Sequence, residues 1–286
     1  MCPDLEIAMK EVSSPSFPPR LYALCELPRI CSYLPEEKAS LEYRGYRGLS
    51  PTQLEALLSR GWRRFGIDLF RPACQTCSQC IPLRVNVAEF RTDKSQRRTA
   101  RKNAHVQVTL HEPGISDEHI ALYNAWHGDM AARKDWPPQR VTRHEYLHSF
   151  LAGDFPSFWE LQYRMEGKLI GVGLIDCLPH SLSSIYFYHA PHWRSQSPGT
   201  FSLLCEIALA REMGLDYVYL GYWIRNCGSM AYKSCFHPHE LLQARPEDGE
   251  LPAWLKRDAE SYNVPSFKVA ESSHHPGDPY GPADND

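Results

Sequence analysis

The chain of 286 residues has no run of uncharged apolar side chains long enough to cross a bilayer. Its opening, MCPDLEIAMK, also lacks the apolar centre of a secretory signal. These absences lead to the expectation of a soluble, cytoplasmic protein. No internal repeat is visible, which sets solenoids and propellers aside. His127, His144, His189 and His192 lack metal-site spacing and read as ordinary polar residues. Net charge is scarce too, at −3, but it is unevenly placed. Arg84 to His105 carries seven basic residues against two acidic, whereas Arg245 to Asp286 carries four against nine. The first block suits a polyanion and the second does not; the plain alternative for both is a solvated face. Cysteine is not scarce. Ten in a chain of this length do not make a disulfide scaffold, and the triplet Cys74, Cys77, Cys80 points to a reducing compartment and to metal or redox chemistry.

The chain is organised around Tyr217 to Phe236, YVYLGYWIRNCGSMAYKSCF. Its first eight residues are uncharged on both alternating faces, the pattern of a strand covered on both sides. Gly221 interrupts the run, and a strand glycine marks a bulge or a close approach. Charge appears only afterwards, at Arg225 and Lys233, with Tyr232 beside the lysine. Such a strand is either a floor leading into a polar site or a central strand followed by a solvated loop.

Around it the elements follow in order. Residues 1–20 read as a proline-rich flexible arm. Ser50, Pro51 and Gln53 start a helix that Gly61 stops. Strands are expected over Trp62 to Phe70 and Ile81 to Val87, then a helix over the basic run Gln96 to Lys102, charged on most faces. A strand at Val106 to Leu110 precedes helices from Ser116 and from the capping box Thr142–Glu145. The second half then runs strand (Phe158 to Met165), strand (Lys168 to Cys177), strand (Ser183 to Ala190), helix (Gly199 to Met213), strand (Tyr217 to Ile224). The expected fold class is α+β. An N-terminal cysteine-containing domain (21–110, with the basic run) precedes an acyltransferase-type domain with a mixed sheet (111–246), and an acidic, proline-rich, largely disordered tail (247–286) follows.

The second-half order resembles that of the acetyl-CoA-dependent N-acetyltransferases, whose loop before the long helix is a glycine-rich phosphate cradle. Here that loop, Arg194 to Gly199, keeps one arginine and one glycine but has Pro198 in place of a donor. This favours another acyl donor. The cysteine triplet Cys74, Cys77 and Cys80 supplies three thiols for zinc or an iron–sulfur cluster, with Cys31, or else Cys25, as the fourth; the alternative is thiols packing a small loop.

Five motifs in one order carry a wider resemblance: Cys31 to Pro35, Gly61 to Gly66, the cysteine triplet, Gln96-Arg97-Arg98, and Gly221 to Ile224 followed by Met230 to Lys233. From about Tyr22 to Leu242 the chain resembles the aminoacyl-tRNA–protein transferases of the N-degron pathway. The compact form is similar to the bacterial aspartate/glutamate leucyltransferases, related to the arginyl enzymes. The resemblance implies transfer of an amino acid from charged tRNA to the α-amine of proteins beginning with Asp or Glu, with no cofactor needed for the chemistry. Against that task Tyr222, Tyr188 and Lys233 are the expected catalytic residues, and Tyr186, Arg225 and Tyr232 the substrate-binding ones. Arg97, Arg98, Arg101 and Lys102, with Arg63 and Arg64 second, are expected to meet tRNA phosphates. The chain departs from the family at Gly228-Ser229, where Pro-Lys is usual; Arg225 or Lys233 would then supply any contact that lysine makes.

Overall fold

The computed structural model describes residues 16–134 and 140–257. Residues 1–15 of the expected arm and 258–286 of the expected tail lie outside that range. Four strands, β1 (Arg20–Cys25), β4 (Leu41–Tyr46), β5 (Arg63–Phe65) and β6 (Asp68–Pro72), form an antiparallel sheet in the order β1-β4-β6-β5. A two-residue pair, β2 (Arg29–Ile30) with β3 (Lys38–Ala39), sits between β1 and β4 in sequence. The expected single strand over Trp62 to Phe70 is therefore a hairpin. Gly66, at φ 54°, makes the reversal that an L side chain resists.

Helix α1 (Pro51–Ser59) forms where its caps predict. Ser50 accepts from the Gln53 amide and Gln53 returns the bond to the Ser50 amide. Leu54, Leu57 and Leu58 are buried against Trp62 and Leu69, a small core of their own. The large sheet has eight strands in the order β14-β13-β7-β12-β11-β10-β9-β8. They are β7 (Ile81–Asn86), β8 (Gln107–His111), β9 (Phe158–Met165), β10 (Lys168–Cys177), β11 (Ser181–His189), β12 (Tyr217–Trp223), β13 (His239–Gln243) and β14 (Ala253–Arg257). β11 and β12 pair in parallel; their neighbours pair antiparallel. So the sheet is mixed, and it takes strands from both sides of residue 110.

Side chains alternate across this sheet. Helix α5 (Pro198–Glu212) covers one face, where Gly173 admits Ser202 and Phe187 meets Trp193. Helix α3 (Asp117–Lys134) and the short α4 (Arg143–Tyr146) cover the other, where Tyr123 packs on Tyr186 and Tyr188. Helix α2 (Lys94–Lys102) lies beside α5. Part of the acidic tail is ordered. Asp248 pairs with Arg44 at 2.8 Å, Glu247 with Arg71 at 3.0 Å, and Ala253 to Arg257 close the sheet edge as β14.

The two sheets are joined through β5. Arg64 reaches Asp176 on β10 with two bonds of 2.9 and 3.0 Å, donates a third to the Gly66 carbonyl, and lies 4.3 Å from the Phe155 ring. Both side chains are fully buried, at 1% and 0% exposure. Breaking one partner of such a pair leaves an uncompensated buried charge, so Arg64→Ala or Asp176→Ala is expected to lose ~3–5 kcal/mol of stability. Replacing both together with Met and Leu is expected to lose far less, and denaturant melts of the three variants check it.

Candidate active site

β11 and β12 are bonded only at Ser181–Tyr217, Leu182–Val218 and Ser183–Tyr219, although both strands run on, to His189 and Trp223. Beyond Ser183 and Tyr219 the seam between them opens. Arg63 from β5 fills the opening, donating to Ser183 Oγ at 3.2 Å and to the Ser184 carbonyl. On the opposite strand the guanidinium meets Gly221, whose φ is 81° and where a Cβ would stand 3.2 Å from Arg63 Cζ. The register against β7 shifts at the same place, between Tyr219 and Gly221. The glycine is thus both a bulge and a close approach, and what approaches is a side chain of the protein itself.

Lys233 lies in the turn Tyr232–Cys235 after β12, and its ammonium donates to the Tyr222 carbonyl at 3.0 Å. The residue keeps some exposed surface, but its charged end is inside. Burial, and next the Arg63 charge, bring its pKa down to about 7. Tyr232 is 36% exposed, while its hydroxyl reaches within 4.0 Å of where a Cβ on Gly199 would stand. Burial and the neighbouring Glu206 charge push that hydroxyl up to about 12.

Glu206, in the middle of α5, is the site residue that sequence reading missed. It is 1% exposed, and its Oε1 accepts from Ser184 Oγ and Ser202 Oγ, each at 3.2 Å. Its Oε2 is buried without a hydrogen-bond partner among the described residues. Burial raises its pKa to about 7, against the opposing pull of the two serines, Arg63 and Lys233. The signal was there: Glu206 lies in register with Leu203, Ile207 and Ala210 on the buried stripe of the helix. The more apolar stripe through Phe201, Leu204, Cys205 and Ala208 masks it in sequence, yet Leu204 and Cys205 are only half-buried and Ala208 is exposed.

The other expected residues are distributed differently. Tyr188 is fully buried, bonds Tyr146 Oη at 2.7 Å, and faces α3, the side of the sheet away from Glu206. Burial holds its pKa well above 10, so it stays protonated. Tyr186 joins the same aromatic cluster, 5.6 Å from Phe65 and 5.3 Å from Phe150. Tyr222 donates its hydroxyl to the Gly61 carbonyl at 2.9 Å and to the Phe70 carbonyl on β6 at 3.4 Å, tying β12 to the small sheet. Arg225 is exposed, 5.6 Å over the Trp223 ring. Gly228 and Ser229 are exposed in the short helix Gly228–Ala231. Arg64, bound inside to Asp176, offers no charge to a phosphate at the surface, and Arg63 is turned into the seam; both depart from the expected phosphate contact because the hairpin carries them inward.

Arg97, Arg98, Arg101 and Lys102 are all exposed on α2. Two buried polar residues dock that helix beside the site. Gln96 donates to the Cys235 carbonyl at 3.0 Å, in the turn that carries Lys233. Asn103 donates to the Gln196 carbonyl and accepts from Trp193 Nε1. The loop that resembles a CoA cradle is therefore engaged from behind, and its Arg194 is paired with Asp129 on α3. Cys31, Cys74, Cys77 and Cys80 do converge along one cavity with Tyr222 and Arg245. Burial and the three other thiols push Cys80 up to about 12. Among the described residues no group of three or more His, Cys, Asp or Glu side chains is arranged to hold a metal ion. Nor is any described helix long and apolar enough to cross a membrane.

Two family descriptions match in tandem: the N terminus of arginine-tRNA-protein transferase over residues 29–98 and its C terminus over 118–243. The chain belongs to this family. It is 38% identical over 223 residues to the aspartate/glutamate leucyltransferase of Campylobacter jejuni strain 81-176, covering 78% of this chain and 93% of that one. To the protein of the same name in Pseudomonas fluorescens strain Pf0-1 it is 37% identical, covering 78% and 94%. A solved C-terminal domain of a putative lysylphosphatidylglycerol synthetase from Agrobacterium fabrum aligns at TM-score 0.40 and 14% identity, over 63% of this chain and 54% of that one. The chain is an aminoacyltransferase of the aminoacyl-tRNA–protein type, and both matched segments contribute residues to the seam, Arg63 from the first and Ser183 and Gly221 from the second.

A lysine held near neutrality inside the protein destabilises it. Its unfolded counterpart keeps a proton up to about pH 10.4, so between about pH 7 and pH 10 the unfolded state binds more protons, and stability rises with pH. Lys233→Met is therefore expected to be more stable than the parent by ~1–2 kcal/mol at pH 7, with the gap closing towards pH 10, while losing activity. Thermal melts across that range check the sign.

Proposed function

We propose that the protein transfers leucine from leucyl-tRNA to the N-terminal amine of proteins beginning with Asp or Glu. The observation that carries this reading is the 38% identity over 93% of a relative named an aspartate/glutamate leucyltransferase, within a family described as tRNA-protein transferases. The arginyl-tRNA donor of the same family is the runner-up. An acyl-CoA donor is disfavoured, because Arg194 is held by Asp129 and the loop after it leads into Pro198.

The chemistry asks little of the protein. An α-amine has a pKa near 8 and is partly neutral at cellular pH. The aminoacyl ester is already activated, so holding the two reactants in attack geometry supplies the larger part of the rate, ~7 kcal/mol or more of the barrier. The open seam between β11 and β12, roofed by an acyltransferase-type sheet and helix α5, is where we place the ester. Lys233 lies at its polar end to meet the incoming amine, and Tyr232 and the exposed Arg225 flank it as acceptor contacts. The step needs neither a metal nor an organic cofactor. Exposed Arg97, Arg98, Arg101 and Lys102 supply the tRNA phosphate contacts, docked through Gln96 onto the turn of Lys233.

With radiolabelled leucyl-tRNA and a peptide beginning with Glu, label is expected in the peptide. Absence of transfer from both leucyl- and arginyl-tRNA overturns the reading, and transfer from arginyl-tRNA alone replaces the donor. Changing the four basic residues of α2 to alanine is expected to weaken tRNA binding and to make the log–log salt dependence shallower by about 3.6, at ~0.9 per duplex phosphate contact. Titrations of uncharged-peptide-free tRNA binding at several salt concentrations measure that slope.

A further inference from the structure

Where the small sheet meets the end of β12, the two leave a cavity of about 390 Å³ between them. Tyr222 of β12 and Pro82 of β7, which are register partners, both line it. Its other walls carry four arginines: Arg60 after α1, Arg71 on β6, Arg245 after β13 and Arg257 at the end of β14. No Asp or Glu among the described residues lines it. Of the four, Arg71 alone has carboxylate partners among the described residues, Glu42 at 2.9 Å and Glu247 at 3.0 Å. Arg60 is 4% exposed, and its bonds go to the carbonyls of Ala56 at 2.8 Å and Glu247 at 3.3 Å. Arg245 donates to the Cys77 carbonyl at 3.2 Å, so the cysteine loop holds it in place. The Arg257 side chain has neither an ion pair nor a hydrogen bond among the described residues. Carbonyls orient a guanidinium but leave its charge uncompensated, and a charge taken out of water calls for an opposite one. Holding residues 246 and 247 accounts for Arg60 and Arg71, which bond their carbonyls, but not for Arg245 and Arg257. The excess of positive charge along one cavity is what an anionic ligand cancels.

We propose that this cavity takes the side-chain carboxylate of the acceptor's first residue, with Arg60 and Arg245 as the forks that grip it. This rests on the transfer reading above. Two observations favour a peptide end over tRNA phosphates. Tyr222 lines the cavity, and its own carbonyl accepts at 3.0 Å from the ammonium of Lys233, the group placed to meet the amine. The amine and the carboxylate of Asp or Glu are a few covalent bonds apart, so their two sites have to be neighbours. The walls are also recessed, with Arg60 at 4% and Arg71 at 6% exposure. A phosphodiester chain continues on both sides of each phosphate and suits an open surface such as that of α2. A peptide starts at its first residue and can place it in a recess. A guanidinium offers donors to both oxygens of a carboxylate in one plane, and neutral Gln or Asn leaves that charge uncancelled. Arg225, exposed over the Trp223 ring, is not among the walls and is left for the rest of the acceptor.

The test measures transfer of labelled leucine to two peptides that differ only in their first residue, Glu or Gln. The proteins are the full chain, Arg245→Gln, Arg245→Lys and Arg257→Gln. Arg245→Gln is expected to lower kcat/KM for the Glu peptide by about 10- to 100-fold through KM, the loss of one hydrogen-bonded charge, and to cut the preference for Glu over Gln by a similar factor. KM for leucyl-tRNA is expected to stay where it is. Arg245→Lys keeps the charge without the fork and is expected to recover part of the loss. Arg257→Gln is expected to lower the preference in the same direction by less. A preference left intact in Arg245→Gln and Arg257→Gln overturns the inference, as does a parent chain that treats both peptides alike. A loss that appears in KM for leucyl-tRNA overturns it too and makes the cavity a phosphate site. If Arg245→Gln folds poorly by circular dichroism, Arg257→Gln decides the matter, an intact preference overturning the proposal. Absence of transfer by the parent chain takes down the reading beneath it, whereas transfer with an intact preference in the variants takes down the cavity alone.

Discussion

Two adjacent arginines on a three-residue strand set the geometry of this protein. Neighbouring residues of a strand point to opposite sides, so β5 sends Arg64 one way into Asp176 and Arg63 the other way into the seam beside Gly221. The first contact is a bidentate pair without solvent; the second satisfies Ser183 and the Ser184 carbonyl, which has no partner on β12. A buried ion pair of this kind contributes little net stability over an apolar replacement. Its effect here is on registration. A planar guanidinium facing a carboxylate permits one placement, and the small sheet is thereby fixed on the large one with Arg63 at the edge of the site.

The site that results is not a place of low energy. A desolvated lysine, an unbonded carboxyl oxygen and a left-handed glycine all lie within one opening of the sheet. The stability that tolerates them comes from elsewhere. The aromatic cluster of Tyr123, Tyr146, Phe150, Tyr186 and Tyr188 fills the α3 face, and the α1 core closes the small sheet. Tyr188 belongs to this support. Its hydroxyl is buried with that of Tyr146, and each answers the other's need for a partner.

Much of the fold was legible in the sequence because it depends on local rules. The capping box at Ser50–Gln53, the three consecutive antiparallel strands after Phe158, the helix behind Pro198 and the strand at Tyr217 all form about where period and punctuation place them. The site was legible in part. Gly221 and Lys233 stood out because a glycine in an apolar strand and a lone lysine beyond it each break a pattern. Glu206 did not, because a one-residue rotation of the helical stripe hides a buried glutamate among exposed ones. Arg63 and Arg64 were read as surface charge for a related reason: in sequence an arginine pair looks solvated, and only the hairpin at Gly66 turns it inward. β14 and the ordered Asp248 escaped notice because an acidic, proline-rich composition carries no sign of the arginines waiting for it across the chain.

The sequence alone determined the elements, the uncharged central strand with its glycine, the exposed basic helix and the family to which the five ordered motifs belong. These are properties of spacing and of side-chain chemistry, which travel with the chain. The tertiary structure alone decided which charges are buried and against what. Arg64 met Asp176, 112 residues away, and Arg63 met Ser183 at 120. A cysteine set spread in sequence from Cys31 to Cys80 was gathered along one cavity. Burial, desolvation and hydrogen bonding depend on distance in space, and no periodicity along the chain encodes which distant partner a buried charge will find.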